Sequence, residues 1–109
     1  MRKKIAILGS TGSIGKSTLE VVKHDKKNFD IILLTANNNY KKLVQQAKQF
    51  KVKNVLIKNN KFHLKVKSLL KNTKIKVYSG DISIKKIIFN KIDYTMSAIV
   101  GIAGLLIRK

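Results

Sequence analysis

The sequence predicts an α/β fold, a doubly wound parallel sheet of about five strands alternating with helices. Two observations predict it. Short, almost wholly apolar segments alternate with segments whose apolar residues recur at helical spacing, which is typical of parallel strands covered by helices on both faces. The connecting segments are only a few residues long, as right-handed crossovers in such a sheet require. At 109 residues and 44% hydrophobic content, the chain is expected to form one domain over residues 1–109.

The first half of the chain contains three predicted strands and two predicted helices. The strands are expected at Lys4–Leu8, Asp30–Ala36 and Asn54–Ile57, and the helices at Ser13–His24 and Tyr40–Phe50. The residues that the first helix offers to the core are Ile14, Leu19, Val21 and Val22. Those of the second helix are Leu43, Val44, Ala47 and Phe50.

The second half continues the alternation with less regular spacing. A helix is expected at Lys61–Lys71, and a strand at Ile75–Tyr78. The apolar residues of this predicted helix are Phe62, Leu64, Val66, Leu69 and Leu70. Either Asp81 or Ser83 is a suitable N-cap for a further short helix that ends near Phe89. The last strand is expected at Tyr94–Val100.

The net charge of +19 raises the question of a nucleic-acid partner. The lysines are spread over the whole chain, which favours a solvated lysine surface over a dedicated binding site. No aromatic-rich strand, zinc-finger spacing or recognition-helix pattern is present. We therefore predict no specific nucleic-acid partner, and a basic nucleic-acid-binding protein remains an alternative that only the charge supports.

The cysteine content and the length of the apolar segments indicate where in the cell the protein is located. The chain has no cysteine, so nothing in it indicates an oxidising environment. The apolar run after Met1-Arg2-Lys3-Lys4 is four residues long, too short for a signal peptide. No apolar stretch approaches the roughly 20 residues that span a bilayer. A cytoplasmic location without membrane contact is expected.

A glycine-rich run directly follows the first predicted strand and opens the first predicted helix: Gly9-Ser10-Thr11-Gly12-Ser13-Ile14-Gly15. Gly9 allows a tight exit from the strand, Gly12 allows close approach of a pyrophosphate, and Gly15 allows the helix to pack on the sheet. The helix N-terminus then faces the phosphates, and Thr11 and Ser13 add hydroxyl donors. Because of this context, the run predicts a dinucleotide-binding turn of the Rossmann type rather than a purely structural turn.

A P-loop is the competing interpretation, since Gly15-Lys16-Ser17-Thr18 resembles the end of a Walker A motif. That motif requires a glycine at position 10, where this chain has Ser10, and Gly9 lies one residue too early. Lys16 is therefore expected to be a solvated helix residue rather than a phosphate ligand.

The end of the second strand bears on the choice of cofactor. A site specific for NAD usually presents a carboxylate there, but this chain has Asn37, Asn38 and Asn39. Together with Lys41 and Lys42, these residues can donate hydrogen bonds and positive charge to a 2′-phosphate, which favours NADPH. The alternative is that the three asparagines simply form a turn with one residue in the left-handed region.

Two motifs resemble the 1-deoxy-D-xylulose 5-phosphate reductoisomerase family. The first is the segment from Ile7 to Val22, and the second is the segment from Met96 to Leu106, Met-Ser-Ala-Ile-Val-Gly-Ile-Ala-Gly-Leu-Leu. The spacing between them is also the family's, and the likeness extends over essentially the whole chain. The resemblance implies an NADPH-dependent enzyme of non-mevalonate isoprenoid biosynthesis. Members isomerise 1-deoxy-D-xylulose 5-phosphate and reduce the intermediate to 2-C-methyl-D-erythritol 4-phosphate, using a divalent metal, Mg or Mn.

The resemblance also implies which residues contact NADPH. The contacts carry over to Thr11, Gly12, Ser13 and Ile14, beside the structural glycines Gly9 and Gly15, and to Asn37, Asn38 and Asn39. The family commonly has Gly-Lys-Asn at the last three positions, so only Asn39 matches, and Lys41 or Lys42 would have to replace the lysine. The segment from Ala98 to Gly104 is implied to lie beside the nicotinamide half of the site.

The family's catalytic and metal-binding segments, together with its C-terminal helical domain, follow the point where this sequence stops. Catalytic and metal-ligating residues are therefore predicted to be none in this chain, since its five acidic residues are scattered. The first hypothesis is the cofactor domain of a truncated or split reductoisomerase, whose remainder is either encoded elsewhere as a separate chain or lost. The second is a stand-alone nucleotide-binding module without catalysis. Family members are homodimers, which leaves the assembly of this chain open.

Overall fold

A computed structural model describes residues 3–80, 97–100 and 106–108 of the chain. They form one sheet, in the order β4-β3-β2-β1-β5-β6. The strands are β1 (Lys3–Ile7), β2 (Phe29–Ala36), β3 (Asn54–Ile57), β4 (Lys76–Ser79), β5 (Ser97–Val100) and β6 (Leu106–Arg108). The helices are α1 (Ser13–His24), α2 (Tyr40–Phe50) and α3 (His63–Leu69), with short 3-10 turns at Lys26–Asn28 and Asn60–Phe62.

The predicted parallel, alternating sheet is confirmed. Strands β1 to β5 are all paired in parallel, and β1 lies between β2 and β5. Four strands alternate with helices in the described part of the chain, rather than five. The fifth predicted strand is present as β5, but residues 81–96, which lead to it, lie outside the described residues. The predicted short helix ending near Phe89, and the start of the predicted last strand at Tyr94, fall in that segment.

β6 is a strand that the sequence analysis did not predict. Its residues Leu106–Arg108 pair antiparallel with β5, in the register Ala98 to Arg108. A strand edge carries unpaired N–H and C=O groups. Pairing with β6 satisfies those on the outer edge of β5.

The observed ends of most helices and strands agree closely with the predicted ends. Helices α1 and α2 and strand β3 have the predicted ends, and β1, β2 and β4 differ from prediction by one residue. The third helix is shorter than the predicted Lys61–Lys71. Its first turn is 3-10, because the Asn59 side chain accepts a hydrogen bond from the Lys61 N–H at 3.1 Å and tightens the turn.

The core lies between the sheet and its helices. β2 and β3 are buried from Ile31 to Ala36 and from Asn54 to Ile57, as expected for central strands covered on both faces. Helix α2 contributes Leu43, Val44 and Ala47. α3 contributes one buried residue, Val66. Among the described residues, no helix has the length and apolar character needed to cross a bilayer.

Four apolar residues of the predicted helices are exposed, and two of them, Ile14 and Val21, were predicted to face the core. The four are Ile14 (39% exposed), Val21 (62%), Leu64 (76%) and Leu69 (47%). The apolar stripe of each helix is wider than the face that contacts the sheet, so residues at its margin remain in solvent. Ile14 differs from the others in its position, since it lies in the first turn of α1, next to the glycine run.

Candidate functional site

The glycine run forms a tight turn between β1 and α1. Gly9 has a φ of +72°, in the left-handed region that favours glycine. The carbonyl of Gly9 accepts a hydrogen bond from the Gly12 N–H at 3.0 Å, which closes the turn. Because the strands are parallel, this turn lies at the carboxyl edge of the sheet, where doubly wound folds bind their ligands.

Two residues from neighbouring elements hold the turn from below. Thr35 on β2 accepts a hydrogen bond from the Gly9 N–H at its Oγ1 (2.9 Å) and one from the Ser10 N–H at its carbonyl (2.9 Å). Gln46 on α2 accepts from the Ser10 hydroxyl at 2.8 Å and donates to the Ser10 carbonyl at 3.0 Å. Ser10, Thr35 and Gln46 are all buried. The turn is therefore tied to β2 and α2 through hydrogen bonds shielded from water, which fixes its position.

Gly15 lies directly above this turn. A Cβ built on Gly15 would be 2.4 Å from the Gly9 carbonyl oxygen and 2.5 Å from Ser10 Cα. Gly15 is buried, so its role is the close packing of α1 on the turn rather than exposure to a ligand. A Cβ on Gly12, in contrast, would meet only the Gly9 carbonyl oxygen, at an ordinary 3.4 Å.

The first turn of α1 is suited to an anion. Its N-cap, Gly12, has no side-chain capping hydrogen bond, and no acidic residue lies in its first turn. The first N–H groups of a helix have no partner within the helix, and the helix dipole favours negative charge there. Gly12, Ser13 and Ile14 are exposed, and Thr11 is partly so. The structure thus leaves backbone donors and a Ser13 hydroxyl accessible at the carboxyl edge.

The asparagine run forms the loop between β2 and α2. Asn37, Asn38 and Asn39 are exposed. The loop is joined to the end of β3, because the Asn59 N–H donates to the Asn37 carbonyl at 3.0 Å and the Asn59 side-chain amide donates to Asn38 Oδ1 at 2.8 Å. Thr35, which holds the glycine turn, is separated from this loop by one residue. The two predicted parts of the site therefore lie beside each other along the carboxyl edge.

The asparagine run also has a structural role, although none of its three residues adopts the left-handed conformation that the alternative interpretation includes. Asn39 is the N-cap of α2, and its side chain accepts a hydrogen bond from the Lys42 N–H at 3.3 Å. This use of the Asn39 oxygen leaves its amide NH₂ able to donate to another group. Structural and binding roles of this residue are thus compatible.

We expect Asn39→Ala to lower the free energy of unfolding by about 1 kcal/mol, the usual cost of losing an N-cap side chain. Urea denaturation of the wild type and the variant measures this. Asn37→Ala is the matched control, since Asn37 contributes to the loop through its backbone carbonyl. Equal stabilities of Asn39→Ala and Asn37→Ala would contradict the capping role.

Cationic side chains flank the asparagine loop. Lys41 is exposed and Lys42 is partly exposed, both in the first turn of α2. The Tyr40 ring stacks on Phe62 with centroids 4.8 Å apart, and the Lys65 ammonium lies 5.8 Å from the Tyr40 centroid. Lys41 and Lys42 are therefore accessible beside Asn39. Lys16 is exposed on α1, as expected of a solvated helix residue.

The described residues contain no group of three His, Cys, Asp or Glu side chains that could hold a metal ion. The second motif of the sequence, from Met96 to Leu106, is described only at Ser97–Val100 and at Leu106. There it forms β5, whose residues Ala98 and Val100 pair with Ile5 and Ile7 of β1. Its carboxyl end thus lies at the same edge of the sheet as the glycine turn.

Sequence reasoning missed Thr35, Gln46 and Asn59. Gln46 carried a detectable signal, since it is a polar residue within the apolar stripe of α2, next to Ala47. Thr35 likewise interrupts an otherwise apolar strand. A polar residue at a buried position needs a hydrogen-bond partner, but its identity depends on packing.

The chain is similar in sequence to one family of enzymes over nearly its whole length. The model of the 1-deoxy-D-xylulose 5-phosphate reductoisomerase family matches residues 5–108. The reductoisomerase of Pelagibacter ubique is 55% identical over 105 residues, covering 94% of this chain and 27% of that protein. The Porphyromonas gingivalis enzyme is 44% identical over 108 residues, covering 97% and 28%. The chain thus spans about a quarter of the length of these relatives.

Solved structures agree with the sequence relatives. The Zymomonas mobilis reductoisomerase in complex with NADPH superposes with a TM-score of 0.72 and 31% identity, over 73% of this chain and 21% of that one. A reductoisomerase in complex with NADPH, fosmidomycin and magnesium has a TM-score of 0.69 and 27% identity, over 72% and 20%. Family match, sequence identity and fold lead to the same conclusion. The chain belongs to the 1-deoxy-D-xylulose 5-phosphate reductoisomerase family.

Proposed function

We propose that this chain is the NADPH-binding portion of a 1-deoxy-D-xylulose 5-phosphate reductoisomerase. Such an enzyme isomerises its substrate and reduces the intermediate to 2-C-methyl-D-erythritol 4-phosphate in non-mevalonate isoprenoid biosynthesis. The observation that carries the proposal is the uncapped N-terminus of α1, which opens from a glycine turn held in place by Thr35 and Gln46. Relatives solved with NADPH support the choice of cofactor.

The residues present fit a dinucleotide. Backbone N–H groups at Ser13 and Ile14 would bind the pyrophosphate, and the absence of a Cβ at Gly12 would allow its close approach. Thr11 would add a hydroxyl donor, while Gly9 and Gly15 would shape the turn. Exposed Ile14 would provide an apolar contact to the cofactor. When bound, NADPH supplies the hydride for a reduction.

The asparagine loop would bind the adenosine end. Amide groups of Asn37, Asn38 and Asn39 would donate to the ribose and to the 2′-phosphate, with Lys41 or Lys42 supplying charge. Asn59 would act as a positioning residue, because its amide holds Asn38. No carboxylate occurs among these residues to favour the free 2′-hydroxyl of NADH.

Only the cofactor half of the reaction is assigned to this chain. Its acidic residues number five, and no metal-binding group is present in the ranges that the structure describes. We propose that metal ligands and catalytic groups come from the part of the relatives that this sequence does not cover, in the same polypeptide or as a separate chain. Pairing as a homodimer and a cytoplasmic location remain predictions.

Cofactor preference is the direct test. Fluorescence titration at physiological salt is expected to show saturable binding, with NADPH preferred over NADH by at least about tenfold. One charge-assisted contact to the 2′-phosphate accounts for about 1.4 kcal/mol of that preference. Raising the salt concentration should reduce the preference, since the lysines beside Asn39 are exposed.

Two results would contradict the proposal. Equal affinities for NADPH and NADH would remove the assignment of the asparagine loop, although the glycine turn would remain. Absence of binding in a sample that circular dichroism shows to be folded would remove the cofactor assignment itself. Tighter and steeply salt-dependent binding to duplex DNA than to NADPH would favour the nucleic-acid alternative.

A further inference from the structure

A second pocket lies at the opposite edge of the sheet, beneath the amino ends of β3 and β4. Its volume is about 630 Å³, within the range of small-molecule sites. Its floor is apolar and includes Ala47, Val52 and Ile75. We call it the lysine-rimmed pocket, because its rim carries five lysines: Lys48, Lys51, Lys53, Lys74 and Lys76.

The pocket is preformed by two hydrogen-bonded turns. The Val52 N–H donates to the Ala47 carbonyl at 3.2 Å, which fixes the turn between α2 and β3. On the other side, the Thr73 hydroxyl donates to the Leu70 carbonyl at 2.7 Å and accepts from the Ile75 N–H at 3.2 Å. A ligand would therefore meet walls that need little ordering on binding.

Lys51 occupies a backbone conformation that is unfavourable for lysine. It follows α2 with φ +52° and ψ +48°, and among the described residues it alone is a non-glycine with positive φ. Helices commonly end with glycine at this position, because a Cβ is strained there. Strained residues that persist in a fold are candidates for function. Here the strained residue is one of the lysines that line the pocket.

The charge at this edge is largely uncompensated. All five acidic residues of the chain lie outside residues 31–80, a segment that carries twelve lysines and includes nearly the whole pocket lining. Within the described ranges, the carboxylate that reaches the rim is Asp30, whose Oδ2 lies 3.6 Å from the Lys53 ammonium. The other four rim lysines have no ion pair with a described residue. This excess of positive charge suits a dianion better than a single carboxylate.

We propose that the lysine-rimmed pocket binds a small phosphate ester with an apolar body. The apolar floor would accept the body of the molecule, and the rim ammonium groups would contact its phosphate. The pocket shares no residue with the proposed cofactor site and lies beyond the other end of the strands. It therefore constitutes a second anion site, independent of whether the glycine turn binds NADPH.

Phenyl phosphate is a suitable probe. Its binding is measured by ¹⁵N NMR on the full chain in the presence of saturating NADPH. Saturable shifts are expected at the amides of Lys53 and of Lys74–Lys76. The variant Lys51→Gly with Lys74→Gln should weaken binding by at least about fivefold. Lys51→Gly suits the positive φ, so the variant is expected to fold with an unchanged or higher Tm.

The matched control removes two equal charges elsewhere, by Lys23→Gln with Lys27→Gln, and should change the affinity less than about twofold. Inorganic phosphate and phenol should each bind more weakly than phenyl phosphate, because each lacks one half of the recognised chemistry. Equal weakening in the two variants would overturn the proposal in favour of diffuse charge. Inorganic phosphate binding as tightly as phenyl phosphate, or shifts confined to Gly12–Gly15, would overturn it as well.

Discussion

Gly15→Ala is expected to destabilise the protein by about 2 kcal/mol and to weaken NADPH binding more than tenfold. The new Cβ would lie 2.4 Å from the Gly9 carbonyl oxygen and 2.7 Å from the Ser10 carbonyl carbon, both backbone atoms. Neither can rotate away, so α1 or the turn must move. Overpacking of this kind lowers the free energy of unfolding by about 1–3 kcal/mol. The higher helix propensity of alanine offsets at most about 1 kcal/mol of this loss. Displacement of the turn also moves the donors that would bind phosphate.

Gly12→Ala is the matched comparison, because it adds the same methyl group three residues earlier. Its Cβ would meet only the Gly9 carbonyl oxygen at 3.4 Å, and Gly12 has a φ of −80°, which alanine readily adopts. We expect a loss of stability of no more than about 1 kcal/mol, since alanine is a poorer N-cap than glycine, while NADPH binding weakens because the methyl group occupies the path of the pyrophosphate. Urea denaturation and fluorescence titration of both variants measure the two effects. Equal loss of stability in the two variants would contradict the separate roles.

Gln46→Leu is the second substitution with a large expected effect. Leucine has a similar shape but removes both hydrogen bonds to Ser10. The buried Ser10 carbonyl then loses the donor that Gln46 supplies, and the Ser10 hydroxyl loses its acceptor on Gln46. A buried polar group without its partner costs about 1–3 kcal/mol. We therefore expect a loss of about 2 kcal/mol of stability, measured by urea denaturation. NADPH affinity should also fall several-fold, because the turn loses its tie to α2.

Gln45→Leu provides the control for this prediction. Gln45 neighbours Gln46 on the same helix but is exposed, so the substitution changes the same chemical group without touching the turn. Its stability should remain within about 0.5 kcal/mol of the wild type. Gln46→Glu retains an acceptor for the Ser10 hydroxyl but has no amide to donate to the Ser10 carbonyl. NADPH affinity that is unchanged in both Gln46 variants would show that Gln46 serves only stability.

Local patterns in the sequence were sufficient for much of the fold. The ends of α1 and α2 were predicted correctly, because a glycine or asparagine cap and a helical apolar stripe are visible in adjacent residues. The core positions of Ile14 and Val21 were predicted wrongly, since periodicity identifies an apolar stripe but not how much of it the sheet covers. The third helix was too long in the prediction because Asn59 diverts its first turn into 3-10 geometry.

By itself, the sequence determined the parallel α/β class, the order of elements from β1 to β4, the family, and the presence of a glycine turn that opens a helix. These features depend on residues that are close along the chain or on motifs that can be recognised from consecutive residues alone. Only the tertiary structure decided that Thr35 and Gln46 hold that turn, that Gly15 packs rather than binds, and that five lysines surround one apolar pocket. Ser10 is 36 residues from Gln46 and 25 from Thr35, so their contacts arise when strands and helices pack together.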